Sequence, residues 1–477
     1  YEAGAAYLTV DFHQVNNRDP FIYKTKDYGK TWTLITNGIP PSMLSYAHCV
    51  REDPTKPGLL YVGTENGLYV SFNDGEKWEP LQSNLPRAPV YWMVIQEHFN
   101  DLVVGTYGRG FWILDDLTSI QQMTDRVRDA EAHLFPPRPT YRFRASTVPV
   151  TMSDDPTAGQ NPPYGAAINY YLKAAPSGDV KIRIVDLDGQ TVRTLAGTKN
   201  VGINRVTWDL RGEQSTEVKM RTSPAYAPEI TVGADGTRAA PGAPRMSVLL
   251  PPGTYTVKLS AAGQELSQPL IVKKDPNSSG TEAEIQTQVA MLLDLRSDLE
   301  KAAGMVNQIE LIRSQLYSII TLLAGGSGDR VRTGSGSDRV GDSMSTAVAT
   351  GSTGLSAPPA VARGADSNFA PIKAAADALD TKLIDIEENL IQRKLTGQGQ
   401  DTVRWPPKLL TKINYLANGL GGSDFGPTTQ QREVHSLFKQ QITSLRARLD
   451  ELLGRDLDAF NKLLRDRGIH NVIYRVP

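Results

Sequence analysis

One short motif occurs twice near the start of the chain. Thr25-Lys26-Asp27-Tyr28-Gly29-Lys30-Thr31-Trp32 returns as Ser71-Phe72-Asn73-Asp74-Gly75-Glu76-Lys77-Trp78, and Thr25/Ser71, Asp27/Asn73, Gly29/Gly75 and Trp32/Trp78 are each 46 positions apart. Each copy lies between strand-like runs, such as Ile22 to Thr25 and Trp32 to Ile35 in the first. The link between the strands must be a tight hairpin, where a glycine supplies φ > 0. An Asp or Asn side chain, helped by the Thr or Ser hydroxyl, can bind backbone N–H groups and hold the turn. The tryptophan is expected to pack under the turn, with its N–H free to find a partner. A repeat of this period, with one hairpin turn per copy, predicts sheets stacked as propeller blades.

The pattern extends over residues 1–120. Ala6 to Val10 reads as a strand, and Leu59 to Thr64 leads through Glu65-Asn66-Gly67 into Leu68 to Ser71. Asn-Gly between apolar runs is a hairpin signal. Asp101 to Thr106, Tyr107 to Gly110 and Phe111 to Leu114 repeat the plan without a following motif. Two to three blades are therefore expected, fewer than a closed ring needs, with an open edge that invites pairing. Asp27 is read as a turn holder, because a carboxylate engaged with its own hairpin is a poor acid or base.

Further along, the period changes. Residues 133–275 carry short alternating strands, among them Lys181 to Asp186, Thr191 to Leu195, Val206 to Leu210 and Tyr255 to Leu259. Strands at this spacing predict an immunoglobulin- or fibronectin-III-like sandwich, with a Pro/Gly/Ala-rich loop inserted at 212–245. From 281 to 467 the apolar residues step by three, four and seven. Ile285, Val289, Leu292, Leu299, Val306, Ile309, Leu316, Ile320 and Leu323 form one stripe, Ile372 to Leu390 a second, and Leu437, Leu445, Leu449, Leu452, Phe460 and Leu463 a third. Such stripes predict a helical bundle. The Gly/Ser-rich segment 325–366 interrupts it and has linker composition. The fold class expected is multidomain, mainly β followed by α.

Chemistry is sparse. The net charge of −1 argues against nucleic acid as a partner, and a single cysteine, Cys49, excludes an internal disulfide. No apolar run is long enough to span a membrane. The six histidines show no metal-type spacing, and neither a metal nor a cofactor is expected. Glycosidases need two carboxylates about 5–10 Å apart; Asp11, Glu65, Asp115 and Asp116 are the candidates within the blades. Glu65, Tyr107, Arg109, Asp115 and Asp116 are the residues expected to face a ligand.

The repeat resembles the Asp-box, S/T-x-D-x-G-x-x-W, of bacterial neuraminidase repeats, with Thr25, Asp27, Gly29 and Trp32 matching throughout and Asn73 replacing Asp in the copy Ser71, Asn73, Gly75, Trp78. Together with Gly105 to Asp116, Asn161 to Ala166, Asn204 to Arg211 and Pro251 to Val257, the chain resembles the C-terminal part of large exported bacterial BNR proteins. These carry sortilin-like propellers and a glycosyl-hydrolase label. The resemblance implies an exported protein, periplasmic, cell-surface or extracellular. It implies that further blades lie upstream, on the same precursor or a separate chain, and the absence of an initial Met fits a processed or partial chain. Where many relatives carry His, this chain has Tyr107, which removes one candidate acid–base group. The function expected is non-catalytic binding or assembly, with a glycan or protein ligand and homo-oligomerisation in view. The alternative is a glycoside hydrolase whose catalytic carboxylates lie upstream.

Overall fold

Three antiparallel sheets follow one another along the first 120 residues. They belong to a computed structural model that describes residues 1–144, 159, 161–224, 227, 229–323, 369–396 and 401–474; the linker-like segment 325–366 lies outside these. The first sheet is β1 (Ala6–Val10), β2 (Phe21–Thr25) and β3 (Thr33–Leu34), in that order. The second is β4 (Ala47–Glu52), β5 (Leu60–Thr64), β6 (Gly67–Ser71) and β7 (Glu79–Pro80). The third is β8 (Val90–Gln96), β9 (Asp101–Thr106) and β10 (Phe111–Leu114).

The middle sheet is buried on both faces because side chains alternate across a strand. On β5, Leu60 and Val62 join Ile22, Ile35 and Trp78 in one core. Tyr61, between them, joins Cys49, Met93, Leu102 and Val104 in the next. At Gly63 a Cβ would lie 2.5 Å from the Val90 carbonyl oxygen, so only glycine lets β5 approach β8 this closely. The outer sheets are buried on one face only. Leu8 and Leu34 are exposed on the first, and Trp92, Val94, Phe111 and Ile113 on the third.

Both repeat turns close as their residues predict. Thr25 Oγ1 accepts from the Gly29 N–H at 3.0 Å, and Asp27 Oδ1 accepts from the Thr31 N–H at 2.8 Å. In the second copy Ser71 Oγ accepts from the Gly75 N–H and Asn73 Oδ1 from the Lys77 N–H, both at 3.0 Å. Gly29 and Gly75 have φ of +82° and +86°. The tryptophans differ, against expectation. Trp78 is 1% exposed and donates through Nε1 to the Ile35 carbonyl of the preceding sheet at 2.7 Å. Trp32 is 42% exposed. The Trp78 indole packs on the sheet before its own, whereas Trp32 lies against its own turn at Gly29, and among the described residues no sheet precedes β1.

Two short helices, α1 (Thr118–Gln121) and α2 (Asp125–Asp129), lead into eight longer-range strands. These are β11 (Ala132–Leu134), β12 (Thr140–Arg142), β13 (Ala166–Leu172), β14 (Lys181–Val185), β15 (Thr191–Ala196), β16 (Gly202–Trp208) and, after an excursion holding β17 (Lys219–Met220) and β18 (Arg238–Ala239), β19 (Gly253–Ala261) and β20 (Gln264–Lys274). Sheet β11-β13-β16 and sheet β12-β20-β19-β14-β15 feed one core, in which Ile168, Tyr170, Ile182, Trp208, Val257 and Leu270 are buried. Trp208 meets Tyr255 edge-on at 5.1 Å and donates to the Arg211 carbonyl.

The chain divides into two compact units. One comprises Tyr1–Glu213 and Leu249–Glu282, the other Gln214–Val248 and Ala283–Pro477. In the second, α3 (Glu282–Leu323), α4 (Phe369–Leu390), α6 (Leu409–Gly421), α7 (Thr429–Leu452) and α8 (Asp458–Arg465) share one core, and the short α5 (Asp401–Arg404) adds no described residue to it. The α3 stripe is buried from Ile285 to Leu316, with Ile320 and Leu323 partly so. Leu437, expected on the α7 stripe, is exposed, and the buried face of α7 instead runs through His435, Ile442, Leu445, Leu449 and Leu452.

The 214–248 excursion belongs to the helices. Val218, Met220, Met246 and Val248 enter their core. The buried Glu310 carboxylate accepts from the Arg221 N–H at 2.5 Å and from the Thr222 N–H and Oγ1, both at 2.9 Å. Arg313 in turn contacts Glu310 at 2.5 Å, Asp380 at 2.7 Å and Glu387 at 3.0 Å. A loop by composition is thus tied down by a carboxylate nearly ninety positions away.

Candidate functional site

Two β-bulges define the site. Ala47 pairs with Thr64 and Cys49 with Gly63, which leaves His48 as the extra residue of β4. In the third sheet Val90 pairs with Thr106 and Trp92 with Gly105, which leaves Tyr91 as the extra residue of β8. The bulges thus fall at the same place in neighbouring sheets. A bulge re-aims a side chain out of the ladder, and bulges gather beside functional sites. Here the two re-aimed rings stack, His48 on Tyr91, at 4.2 Å between centroids.

The strand that pairs with each bulge ends beside it. Glu65 follows β5 and its N–H binds the Tyr46 carbonyl; Tyr107 follows β9 and its N–H binds the Pro89 carbonyl. Asp11 follows β1. Three strand ends therefore deliver two carboxylates and a phenol to one rim. Glu65 Oε2 lies 2.8 Å from His48 Nε2, and Asp11 Oδ2 lies 3.8 Å from His48 Nδ1. His13 completes the group, 2.6 Å from Asp11 Oδ1 and stacked on Tyr46. Tyr107 lies 5.8 Å from Tyr91 at a 40° tilt.

The electrostatics follow from burial and pairing. Burial pushes the Tyr46 phenol up to about 12, and its hydrogen bond to Glu65 and that carboxylate's charge add to the effect. Burial, then the charges of Glu65 and Asp11, raises Tyr91. At Asp11 burial opposes ionisation. Hydrogen bonds from His13 and the charges of His13 and His48 outweigh it, and the carboxyl sits below its ordinary value. The rim presents acceptors, imidazoles and exposed aromatic faces, a combination suited to stacking a ring while hydrogen-bonding its edge.

The residues expected to face a ligand do not all meet. Glu65 and Tyr107 stand on the rim. Arg109 is exposed, and its carbonyl accepts from Trp112 Nε1. Asp115 and Asp116 lie beyond the far end of β10, about 14 Å of strand away. Asp116 is buried and engages Asn169 at 3.4 Å and Arg138 at 3.8 Å, while its carbonyl accepts from Arg205. Burial and the neighbouring Asp101 raise the Asp115 carboxyl. Asp116 joins the third sheet to the strands that follow. Residue types alone did not single out His48, Tyr46, Tyr91 and His13. The shared Gly-Thr before Glu65 and Tyr107 was the available signal for where the rim lies.

In the helical unit Asp294, Asp298 and His435 bring ligand atoms within 4.8 Å of one another, a grouping hidden in the sequence by the long separation of His435. Lysines and a histidine of the chain already answer these acids. Lys439 lies 2.6 Å from Asp294, Lys301 lies 3.1 Å from Asp298, and His435 lies 2.9 Å from Asp298. The arrangement is a self-neutralised polar cluster.

No protein-family model and no curated protein matches the chain. Solved structures with local similarity include the extracellular domain of a hybrid two-component system from B. thetaiotaomicron, at 10% identity and a TM-score of 0.18 over 54% of this chain and 29% of that one. Another is an ancestral GH74 enzyme, at 12% identity and a TM-score of 0.17 over 55% and 34%. The matched part spans about a third of the length of these proteins. Superpositions this loose leave the functional argument to the chain's own geometry. Among the described residues no helix is long and apolar enough to cross a membrane.

Proposed function

We propose that the chain is a binding and assembly module of an exported protein, with its three N-terminal sheets acting as blades of an incomplete Asp-box propeller. The following sheets serve as an immunoglobulin-like sandwich, and the helices as scaffold. One observation carries this reading: Trp78 is buried on the preceding sheet, whereas Trp32, at the same repeat position, is nearly half exposed. The face that one blade uses for its neighbour is therefore uncovered on the first sheet, and Trp92, Val94, Phe111 and Ile113 leave the opposite end of the stack uncovered too. At about 25 cal/mol per Å² of apolar area, covering a few hundred Å² would favour association by several kcal/mol. The occupant proposed is another blade, from the rest of the precursor or from a second copy. Sedimentation of the 477-residue protein at low micromolar concentration tests this. Concentration-dependent association, abolished by Phe111→Ser with Trp92→Ser, is expected. A monomer at all concentrations overturns it.

A second reading has its own support. Asp11 and Glu65 flank one imidazole, so their nearest oxygens lie within about 9 Å, inside the span of a hydrolytic carboxylate pair. A glycoside hydrolase acting at this rim should lose activity on Asp11→Asn or Glu65→Gln. Hydrolysis of a glycan panel by the wild type, abolished by either variant, would move the function from binding to catalysis.

A further inference from the structure

A second site lies in the helical unit, away from the rim. Lys219 and Arg221 of the 214–248 excursion, Lys301 of α3 and Arg446 of α7 line an open cleft of about 600 Å³. Volumes of this order suit small ligands. The charges do not cancel. Lys301 is paired with Asp298 and Arg446 with Asp450. Among the described residues Lys219 and Arg221 make no ion pair, and Asp235 feels Lys219 only at a distance.

Amide side chains set the walls. Asn307 Oδ1 accepts from the Lys219 N–H at 2.8 Å, and its Nδ2 donates to the Glu217 carbonyl at 2.8 Å, which fixes β17 against α3. Gln308 Oε1 accepts from Arg446 Nη1 at 3.2 Å, and its Nε2 donates to the Tyr474 carbonyl. Gly304 also lines the cleft. A glycine inside a 42-residue helix lowers its stability, yet a Cβ there would meet nothing within 4 Å. Packing does not require this glycine; an open cleft beside it does benefit.

We propose that this cleft binds a small polyanion carrying two or more phosphate or carboxylate groups. Two uncompensated cations, one on β17 and one just after it, face two partly compensated ones from the helices, and guanidinium groups grip such oxyanions bidentately. The assignment is independent of the rim and of blade stacking.

Calorimetric titration of the full protein with pyrophosphate and with citrate tests it. Binding is expected at about 50 mM salt, weakening several-fold at about 500 mM as screening grows. Tighter binding of pyrophosphate assigns phosphate as the preferred group, and tighter binding of citrate assigns carboxylate. The double variant Lys219→Ala, Arg221→Ala should weaken binding at least about tenfold, one decade being about 1.4 kcal/mol. Gly304→Leu fills the cleft and leaves every charge in place. It should weaken binding while the melting temperature holds or rises. No heat with either probe at low salt overturns the proposal, and so does unchanged affinity in both variants.

Discussion

Trp78 and Trp32 occupy one position of one repeat and have opposite surroundings. Trp78→Ala removes an indole closed off by Ile22, Ile35, Leu60 and Val62, and should cost about 3–5 kcal/mol in denaturant unfolding. Trp32→Ala should cost under about 1 kcal/mol, because its ring is half in solvent in the isolated chain. Equal losses in the two variants would mean that Trp32 is covered in solution. Asp27→Asn should be mild as well. Asn73 already holds its turn through an amide oxygen, and only the bond from Thr31 Oγ1 to Asp27 Oδ2 at 2.7 Å is particular to the carboxylate.

Among the elements, α7 and the α3–α4 pair are the most informative. Thr428 caps α7: its Oγ1 accepts from the Gln431 N–H at 3.2 Å, while Gln431 Oε1 accepts from the Thr428 N–H at 2.9 Å. Thr428→Ala should cost about 1 kcal/mol, read as a lower unfolding midpoint for the helical unit. Between α3 and α4, Glu387 is fully buried and its Oε1 has no donor. Burial, then the nearby Glu310 charge, pushes the Glu387 carboxyl up to about 8 against the pull of Arg313 and Arg393. The folded state therefore holds a proton that the unfolded chain releases near 4.5. The associated stability is full below that value and is lost as pH rises through about 8. Thermal melts should show the helical unit less stable at pH 9 than at pH 5. Glu387→Gln, which keeps a donor at all pH values, should flatten that difference. A profile unchanged by the substitution would place the titrating proton elsewhere.

For the whole molecule, the two units call for separate readouts. The rim at Asp11, His48, Glu65 and Tyr107 belongs to the first unit, and the basic cleft to the second. Covering the bare faces of the first and third sheets should raise the melting temperature of the first unit. A further sheet-forming segment added in trans is the direct test. Stabilisation that Trp32→Ala abolishes is the expected outcome, and no effect on melting would argue that these faces take no further sheet.

The sequence by itself determined what depends on a few neighbouring residues. The turns at Asp27-Gly29 and Asn73-Gly75 are local: a hydroxyl, an amide or carboxylate oxygen and a glycine at positive φ close them whatever lies around. The switch from alternating strands to helical stripes near residue 281 is also local, because period 2 and period 3.6 are written in successive side chains. Only the tertiary structure decided which tryptophan is buried, since that depends on the sheet beside it. Only the structure placed His48 and Tyr91 on bulges, because a bulge is a mismatch between two strands rather than a property of either. The 212–245 stretch reads as loop by composition, yet its Arg221 and Thr222 are held by Glu310, nearly ninety positions away. That contact comes from a buried carboxylate that must find donors, and the chain's three-dimensional path supplies them.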